Sequence, residues 1–493
     1  MKNTDYLIIK GLLFNLNKFD SIKEDYTGAY PLDSEVRSSL EKTSSSLESG
    51  DDYAIFDYED VITALWKQLI EKSIICLRHF DSREPFLRND NKVPQAYGID
   101  NLVQYFKQYR EFESSLYGSV KYYRDHVIHV IRVWLLGMDL LIRNDCSYLK
   151  SMSIDKSENY NYYEKISVWT LIALTHDLGY PLEKSIEIFD KTRSMMKAFL
   201  SNPQVSMDLS FSGVQDSMND FVLRFMSSRM KESENNKVGE SQYIARLQPK
   251  YYYKFQKSLE HNKHGLISAL IVYKMLVYFL ESDFSTQEDY LFNKEEVHQF
   301  YIRREILRAI ASHTCKDVYQ MSMESFSFLL ILCDEAQEWG RKTVAQLYNE
   351  RKSEYSFDGI KIGSEDESNR RCVIEESFEI DDARLCETIL KHFEHQCQDY
   401  QLWFRDGQDT EKRNFSFERL LTLKVKSDIS LQYSIRLIIS KDKKTQVLFS
   451  LSNDEIIKES DSVLKEMNEI FKNEKEKDNN KLIYTLYQPG TNQ

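Results

Sequence analysis

Cysteine is scarce and unpatterned in this 493-residue sequence: seven residues, none of them in a Cys-x-x-Cys pair. An odd number at irregular spacing argues against a disulfide framework and leaves reduced thiols as the expectation. No apolar run is long enough to cross a membrane, so no membrane segment is expected. The first residues, Met1 to Tyr6, lack an apolar core and a small-residue cleavage site, so no signal peptide is expected and the cytoplasm is the expected compartment. Positive charge is in deficit. Sixty-five Lys and Arg face 78 Asp and Glu, a net charge of −13. A protein that grips a nucleic acid backbone needs clustered cations, so nucleic acid is not the expected partner. A local basic pocket for one phosphorylated small molecule remains compatible with that balance. No internal repeat is present.

What is present is the composition of a folded protein, 42% apolar and 13% aromatic, with length for two or three domains. The fold class expected is mainly α, with a small α+β domain at the C-terminal end. Residues 1–114 read as an N-terminal helical region in which the Ser-rich stretch 34–52 is a loop or linker. Residues 58–80 have helical periodicity, with Val61, Leu65, Leu69 and Cys76 returning to one face. Residues 115–350 read almost wholly helical, with amphipathic stretches at 120–142, 162–174, 185–200, 264–280, 295–311 and 325–348. The more polar segment at about 201–254 reads as a helical insertion able to cover a site. Residues 351–369, with Gly359 and Gly363, read as a linker. Residues 370–493 then carry a helix at 381–403, strands at 420–425, 431–439 and 446–451, a helix at 453–474 and a last strand at 482–487.

Chemistry concentrates in five places. His176 and Asp177 stand side by side in Ala-Leu-Thr-His-Asp-Leu-Gly-Tyr-Pro, where imidazole and carboxylate can reach one metal ion, or two that share the carboxylate. Gly179 and Pro181 then read as the stop of the preceding helix. His126 and His129 are three apart on one predicted helix and share a face. His261 and His264 open another helix, and His313 closes a third. Asp334 follows six apolar residues, so it is expected to be buried, and a buried carboxylate needs a metal, hydrogen bonds or a cation such as Arg341. Arg124, Lys184 and Arg341 are the cations available for phosphate oxygens. His79, His298, His392 and His395 fall outside the pattern and are expected to be structural.

The segments "RDHVIHVIRV", "THDLGYP", "HNKHGLISAL" and "CDEAQEWGR" together resemble the HD-domain superfamily of metal-dependent phosphohydrolases, over about residues 115–345. The resemblance implies an HD-type helical bundle and a ligand set of His129, His176, Asp177, His264, His313 and Asp334. His129 is the implied first ligand because Val133 lies four positions on, as an aliphatic residue does in the family. Asp177 would bridge if two ions bind. His126 resembles the histidine that cyclic-nucleotide phosphodiesterases hold just before the first ligand, where it protonates the leaving oxygen, although there the offset is one residue longer. "HDLGYP" is similar to the His-Asp-x-Gly-His-Pro motif of deoxynucleoside triphosphate triphosphohydrolases, with Tyr180 in place of the second histidine.

The expected activity is therefore hydrolysis of a phosphoester or phosphoanhydride. One or two divalent ions (Mn, Mg, Fe, Co, Ni or Zn) are the expected cofactor, because such an ion lowers the pKa of a bound water from about 15.7 toward ~7. His126 and Asp177 are the expected catalytic residues, and Arg124, Tyr180 and Lys184 the substrate contacts. The expected substrate is a nucleotide, first a deoxynucleoside triphosphate cleaved to nucleoside and triphosphate, with bacterial antiphage defence as a setting. A cyclic nucleotide or dinucleotide phosphodiester is the alternative. A different class, an inactive HD scaffold that senses a nucleotide, requires that no metal be held. A nucleotide effector, and a homo-oligomer or partner protein engaged through the C-terminal domain, complete the expected partners.

Overall fold

The computed structural model describes residues 4–22, 25–47, 59–81, 98–119, 124–155, 159–198, 214–233, 241–281, 284–285, 290–315, 322–341, 355–363, 371–380, 416–425, 432–439, 445–451 and 483–487. The chain is mainly helical and divides into two compact units, Met1–Val318 with Met323–Asp334, and Tyr319–Ser322 with Glu335–Gln493. Among the described residues no helix is long and apolar enough to cross a membrane.

The first unit is built around one helix. In chain order its helices are α1 (Thr4–Asp20), α2 (Ser34–Leu47), α3 (Glu59–His79), α4 (Ile99–Ser119), α5 (Val127–Ile142), α6 (Ser147–Ser151), α7 (Tyr162–Thr175), α8 (Tyr180–Met196), α9 (Val214–Ser227), α10 (Pro249–Glu260), α11 (His264–Met275), α12 (Val277–Leu280), α13 (Lys294–Ser312) and α14 (Phe326–Ala336). Every residue of α7 from Tyr163 to Thr175 is buried. A helix that is apolar all round has no solvent face to offer and must be wrapped by others. Here α3, α5 and α13 wrap it. Three tryptophans tie the wrap together: Trp66 Nε1 donates to the Leu174 carbonyl at 2.8 Å, Trp134 Nε1 to Thr170 Oγ1 at 2.9 Å, and Trp169 Nε1 to the Trp134 carbonyl at 3.2 Å. The N-terminal helices belong to the same unit. Arg132 of α5, 1% exposed, donates to both carboxylate oxygens of Asp5 in α1.

Two helices share one plan. Both α7 and α13 begin in a capping box, Asn161 with Glu164 and Asn293 with Glu296. Such a box satisfies two of the orphan N–H groups of a first turn. Both end in a histidine, His176 and His313. The two helices pack on each other, so they deliver both histidines to one place.

Several boundaries differ from the sequence reading. The Ser-rich stretch expected as a loop is α2. Asp33 Oδ1 accepts the Glu35 and Val36 N–H groups at its start, and Val36, Leu40, Thr43, Ser44 and Leu47 form its buried face. Hydroxyls of Ser39, Thr43 and Ser45 return to carbonyls four residues back, so polar side chains are satisfied within the helix. In α3, Val61 is 45% exposed, and the core face runs instead through Ile62, Leu65, Trp66, Leu69 and Ile70. The stretch 120–142 is not one helix in its described part, because 124–126 are irregular and α5 starts at Val127. His126 is therefore the N-cap of α5 rather than a face-mate of His129 within it. Gly179 and Pro181 open α8 rather than only closing α7; proline suits a first turn, where its missing N–H would be unpaired anyway. The stretch 264–280 breaks at Leu276. The expected 325–348 helix is α14, which ends at Ala336. The 201–254 segment holds, beside α9 and α10, an antiparallel hairpin of β1 (Ser228–Glu232) and β2 (Tyr243–Leu247).

The second unit contains a six-stranded sheet in the order β3 (Tyr355–Gly363), β4 (Arg371–Ile380), β5 (Ser416–Val425), β6 (Gln432–Ile439), β7 (Thr445–Leu451), β8 (Ile483–Tyr487). The stretch expected as a linker is β3, and Gly359 marks a register shift in its antiparallel pairing with β4. The pairs β4–β5 and β7–β8 are parallel, and the others are antiparallel. Parallel neighbours need a crossover connection. The helices expected at 381–403 and 453–474 fall in those two connections and lie outside the described residues, as do His392 and His395. On β4, Ile374, Glu376 and Phe378 alternate onto a buried face, where Arg419 of β5 donates to both oxygens of Glu376. Cys76, Cys146, Cys315 and Cys333 are buried.

Candidate metal centre

Five helix ends or turns converge at the C-terminal ends of α7 and α13. His129 lies in the first turn of α5, whose start is fixed by Asp125 Oδ1 accepting the N–H groups of Val127 and Ile128. His176 caps α7 and Asp177 follows it. His264 is the first residue of α11, His313 caps α13, and Asp334 lies near the end of α14.

Their atoms fall into two groups around one carboxylate. Asp177 Oδ2 lies 3.4 Å from His176 Nε2 and 3.8 Å from His129 Nε2. Asp334 Oδ1 lies 2.8 Å from His129 Nε2 and 3.9 Å from His176 Nε2. On the other side, Asp177 Oδ1 lies 3.3 Å from His264 Nε2 and 3.5 Å from His313 Nε2. The last two nitrogens are 3.2 Å apart.

The outer ring nitrogens decide what the inner ones present. His176 Nδ1 bonds the Ala173 carbonyl at 2.9 Å, and His313 Nδ1 bonds the Ile310 carbonyl at 2.6 Å. A carbonyl only accepts, so each Nδ1 carries a proton and each Nε2 is turned inward; burial keeps the His176 ring neutral, so its Nε2 presents a lone pair. His264 Nδ1 donates to Glu183 Oε2 at 2.6 Å, which sets the same orientation. The fully buried His176 Nε2 has no hydrogen-bond partner among the described residues. The His176 lone pair thus faces the ionised carboxylates of Asp177 and Asp334 with no proton between them. Buried acceptors in that state call for a cation. The donor set of imidazoles and carboxylates fits a divalent first-row ion. His129 with His176 and Asp334, and His176 with Asp177 and His313, each bring their ligand atoms within 4.8 Å of one another.

The electrostatics differ between the groups. Burial pushes His176 down to about 4, against the pull of Asp177 and Asp334. Burial also opposes the charge on His264, but hydrogen bonds to Asp177 and Glu183 outweigh it and hold the ring at about 9. Glu183 is driven the other way: burial raises it, and its bonds to His264 overcome this and bring it to about 2. Burial likewise opposes ionisation of Asp177 and Asp334. Their histidine neighbours prevail and hold both well below the usual carboxylate range.

Two glycines make the approach possible. A Cβ on Gly265 would stand 2.6 Å from Thr314 Oγ1, 2.7 Å from the Ile310 carbonyl and 2.8 Å from His313 Cε1. A Cβ on Gly179 would stand 2.4 Å from the His264 carbonyl and 2.8 Å from the Ser268 nitrogen. The Gly179 N–H instead donates to Ser268 Oγ at 2.7 Å, docking the Asp177 turn onto α11.

All six ligands expected from the sequence therefore meet. His126 lies beside them: its N–H donates to Glu113 Oε1 at 2.7 Å, and its ring stacks on Tyr180 at 3.7 Å and stands 6.0 Å from the His129 ring. Tyr180 also meets the His264 ring edge-on at 5.2 Å. Lys184 sits over the Tyr180 ring and bonds Glu187 at 2.8 Å, so it is engaged within its own helix. Arg124 is half-buried in the irregular residues before α5. His261 stands apart, exposed, with Nδ1 donating to the Lys257 carbonyl of α10. His298 bonds Glu164 at 2.7 Å. Asp334, expected to be buried, is half-buried with its side chain 26% exposed, and His129 is a close partner. Sequence reasoning missed Glu183, which holds His264, and the stripe Tyr105, Tyr109 and Glu113 of α4. The first turn of α8 directly after the His-Asp pair was the available signal for Glu183.

No protein-family model matches the chain, and no curated protein or solved structure is significantly similar to it.

Proposed function

We propose that the chain is a divalent-metal-dependent phosphohydrolase of the HD type acting on a nucleotide. The leading substrate is a deoxynucleoside triphosphate, cleaved to nucleoside and triphosphate. The observation that carries this reading is the division of Asp177, with Oδ2 turned to His129 and His176 and Oδ1 turned to His264 and His313. His129, His176, Asp334 and Oδ2 would hold one ion; His264, His313 and Oδ1 would hold a second. When bound, such ions acidify water and offset the charge of phosphoryl oxygens. The order His, His-Asp, His, His, Asp along the chain supports the HD type.

The chain's own residues supply the remaining needs. His126, held flat against Tyr180, would give a proton to a leaving oxygen. Burial of His129, His176 and Asp177 keeps bulk water away and strengthens every charge interaction within the centre.

His126 next to the first ligand also supports the second reading, a cyclic nucleotide phosphodiester. A product screen separates the two. Protein with Mn²⁺, Mg²⁺ or Co²⁺ is offered each deoxynucleoside triphosphate, each ribonucleotide and several cyclic nucleotides, with Asp177→Ala as control. Nucleoside plus triphosphate, lost in the control, is the expected result. A linear nucleotide from a cyclic substrate transfers the assignment to the phosphodiesterase. Protein that holds no metal and turns nothing over leaves only the sensing scaffold.

A further inference from the structure

Helix α4 lies outside the segments that carry the metal ligands, yet it presents a stripe to them. Tyr105, Tyr109 and Glu113 are spaced four apart and share one face. The two ends of the stripe are anchored. Tyr105 Oη donates to the carbonyl of Leu178, the residue after Asp177, at 2.6 Å. Glu113 Oε1 accepts the backbone N–H of His126, three residues before His129, at 2.7 Å. Tyr109 stands between these anchors, so its side chain is directed at the ground between the Asp177 turn and the start of α5.

Tyr109 is 3% exposed, and its hydroxyl has no hydrogen-bond partner among the described residues. A buried hydroxyl left unsatisfied costs stability and calls for an explanation, a ligand that completes it among them. Burial raises its pKa, and Glu113, Asp177 and Tyr180 add to the rise, so the group remains a neutral donor at physiological pH beside anionic neighbours. We propose that the Tyr109 hydroxyl is a substrate contact, donating a hydrogen bond to an anionic oxygen of the phosphorylated substrate. This rests on the phosphohydrolase reading and adds to it a recognition element from α4.

The test is Tyr109→Phe, which removes one oxygen and no volume. The expected variant binds metal as the wild type does, melts at the same temperature or higher, and loses roughly ten- to a hundredfold in kcat/KM for the nucleotide found by the screen. Tyr105→Phe is the contrast: its hydroxyl already has a carbonyl partner, so its loss lowers the melting temperature. An active wild type with an equally active Tyr109→Phe overturns the contact and leaves the phosphohydrolase standing. A Tyr109→Phe protein that loses stability and metal overturns it as well, because the hydroxyl is then structural. A wild type that binds metal and hydrolyses no nucleotide overturns both proposals together.

Discussion

The two halves of the centre share one carboxylate and are built in opposite ways. His129 and His176 are drawn from helices buried on all sides and are themselves fully buried, so the core holds them. His264 opens its helix, is more exposed, and is held by its hydrogen bond to Glu183 and by the bare backbone of Gly265. The first half is a by-product of packing; the second depends on a few local contacts. The difference teaches where the centre is vulnerable and which substitutions separate the halves.

The largest effect is expected from the shared residue. Asp177→Ala removes ion binding from both halves and abolishes turnover, as measured by metal content and product release. Next come single ligands. His313→Ala reduces the stoichiometry from two ions to one and leaves the His129 half filled, and Asp334→Ala does the reverse; calorimetric titration with Mn²⁺ reads both. Gly265→Ala forces a methyl against Thr314, Ile310 and His313 and lowers stability by about 1–3 kcal/mol, with loss of the ion in the His264 half alone. Glu183→Gln weakens that same half by roughly ten- to a hundredfold and spares the other, the usual scale for a group that orients a ligand. A separate effect is in pH. In the ion-free protein His264 holds its extra proton up to about pH 9, and His176 is neutral above about pH 4. An ion entering the His264 half must displace a proton, so below about pH 9 its affinity falls by about tenfold per unit, more steeply than at the first half.

The residues that meet at the centre were readable in the sequence because they sit in unusual company. A histidine or aspartate within an apolar helix such as 326–334 or 127–133 has few satisfied fates, and several such residues together point to a cation. The supports were not readable, because they depend on which helices meet. Tyr109 and Glu113 look like any tyrosine and glutamate of an amphipathic helix until α4 is set against the Asp177 turn. The error at 34–52 has a related cause. Serine content suggested a loop, while Val36, Leu40 and Leu47 kept helical spacing that packing then enforced. At 355–363 two glycines suggested a linker, but strand partners absorbed Gly359 as a register shift.

The most direct measurement is metal content per chain of protein purified after growth with Mn²⁺, determined for the wild type, His313→Ala and Asp177→Ala. A centre of two halves on one carboxylate predicts two ions, one ion and none. Equal metal in wild type and Asp177→Ala, or none in any of the three, would contradict it.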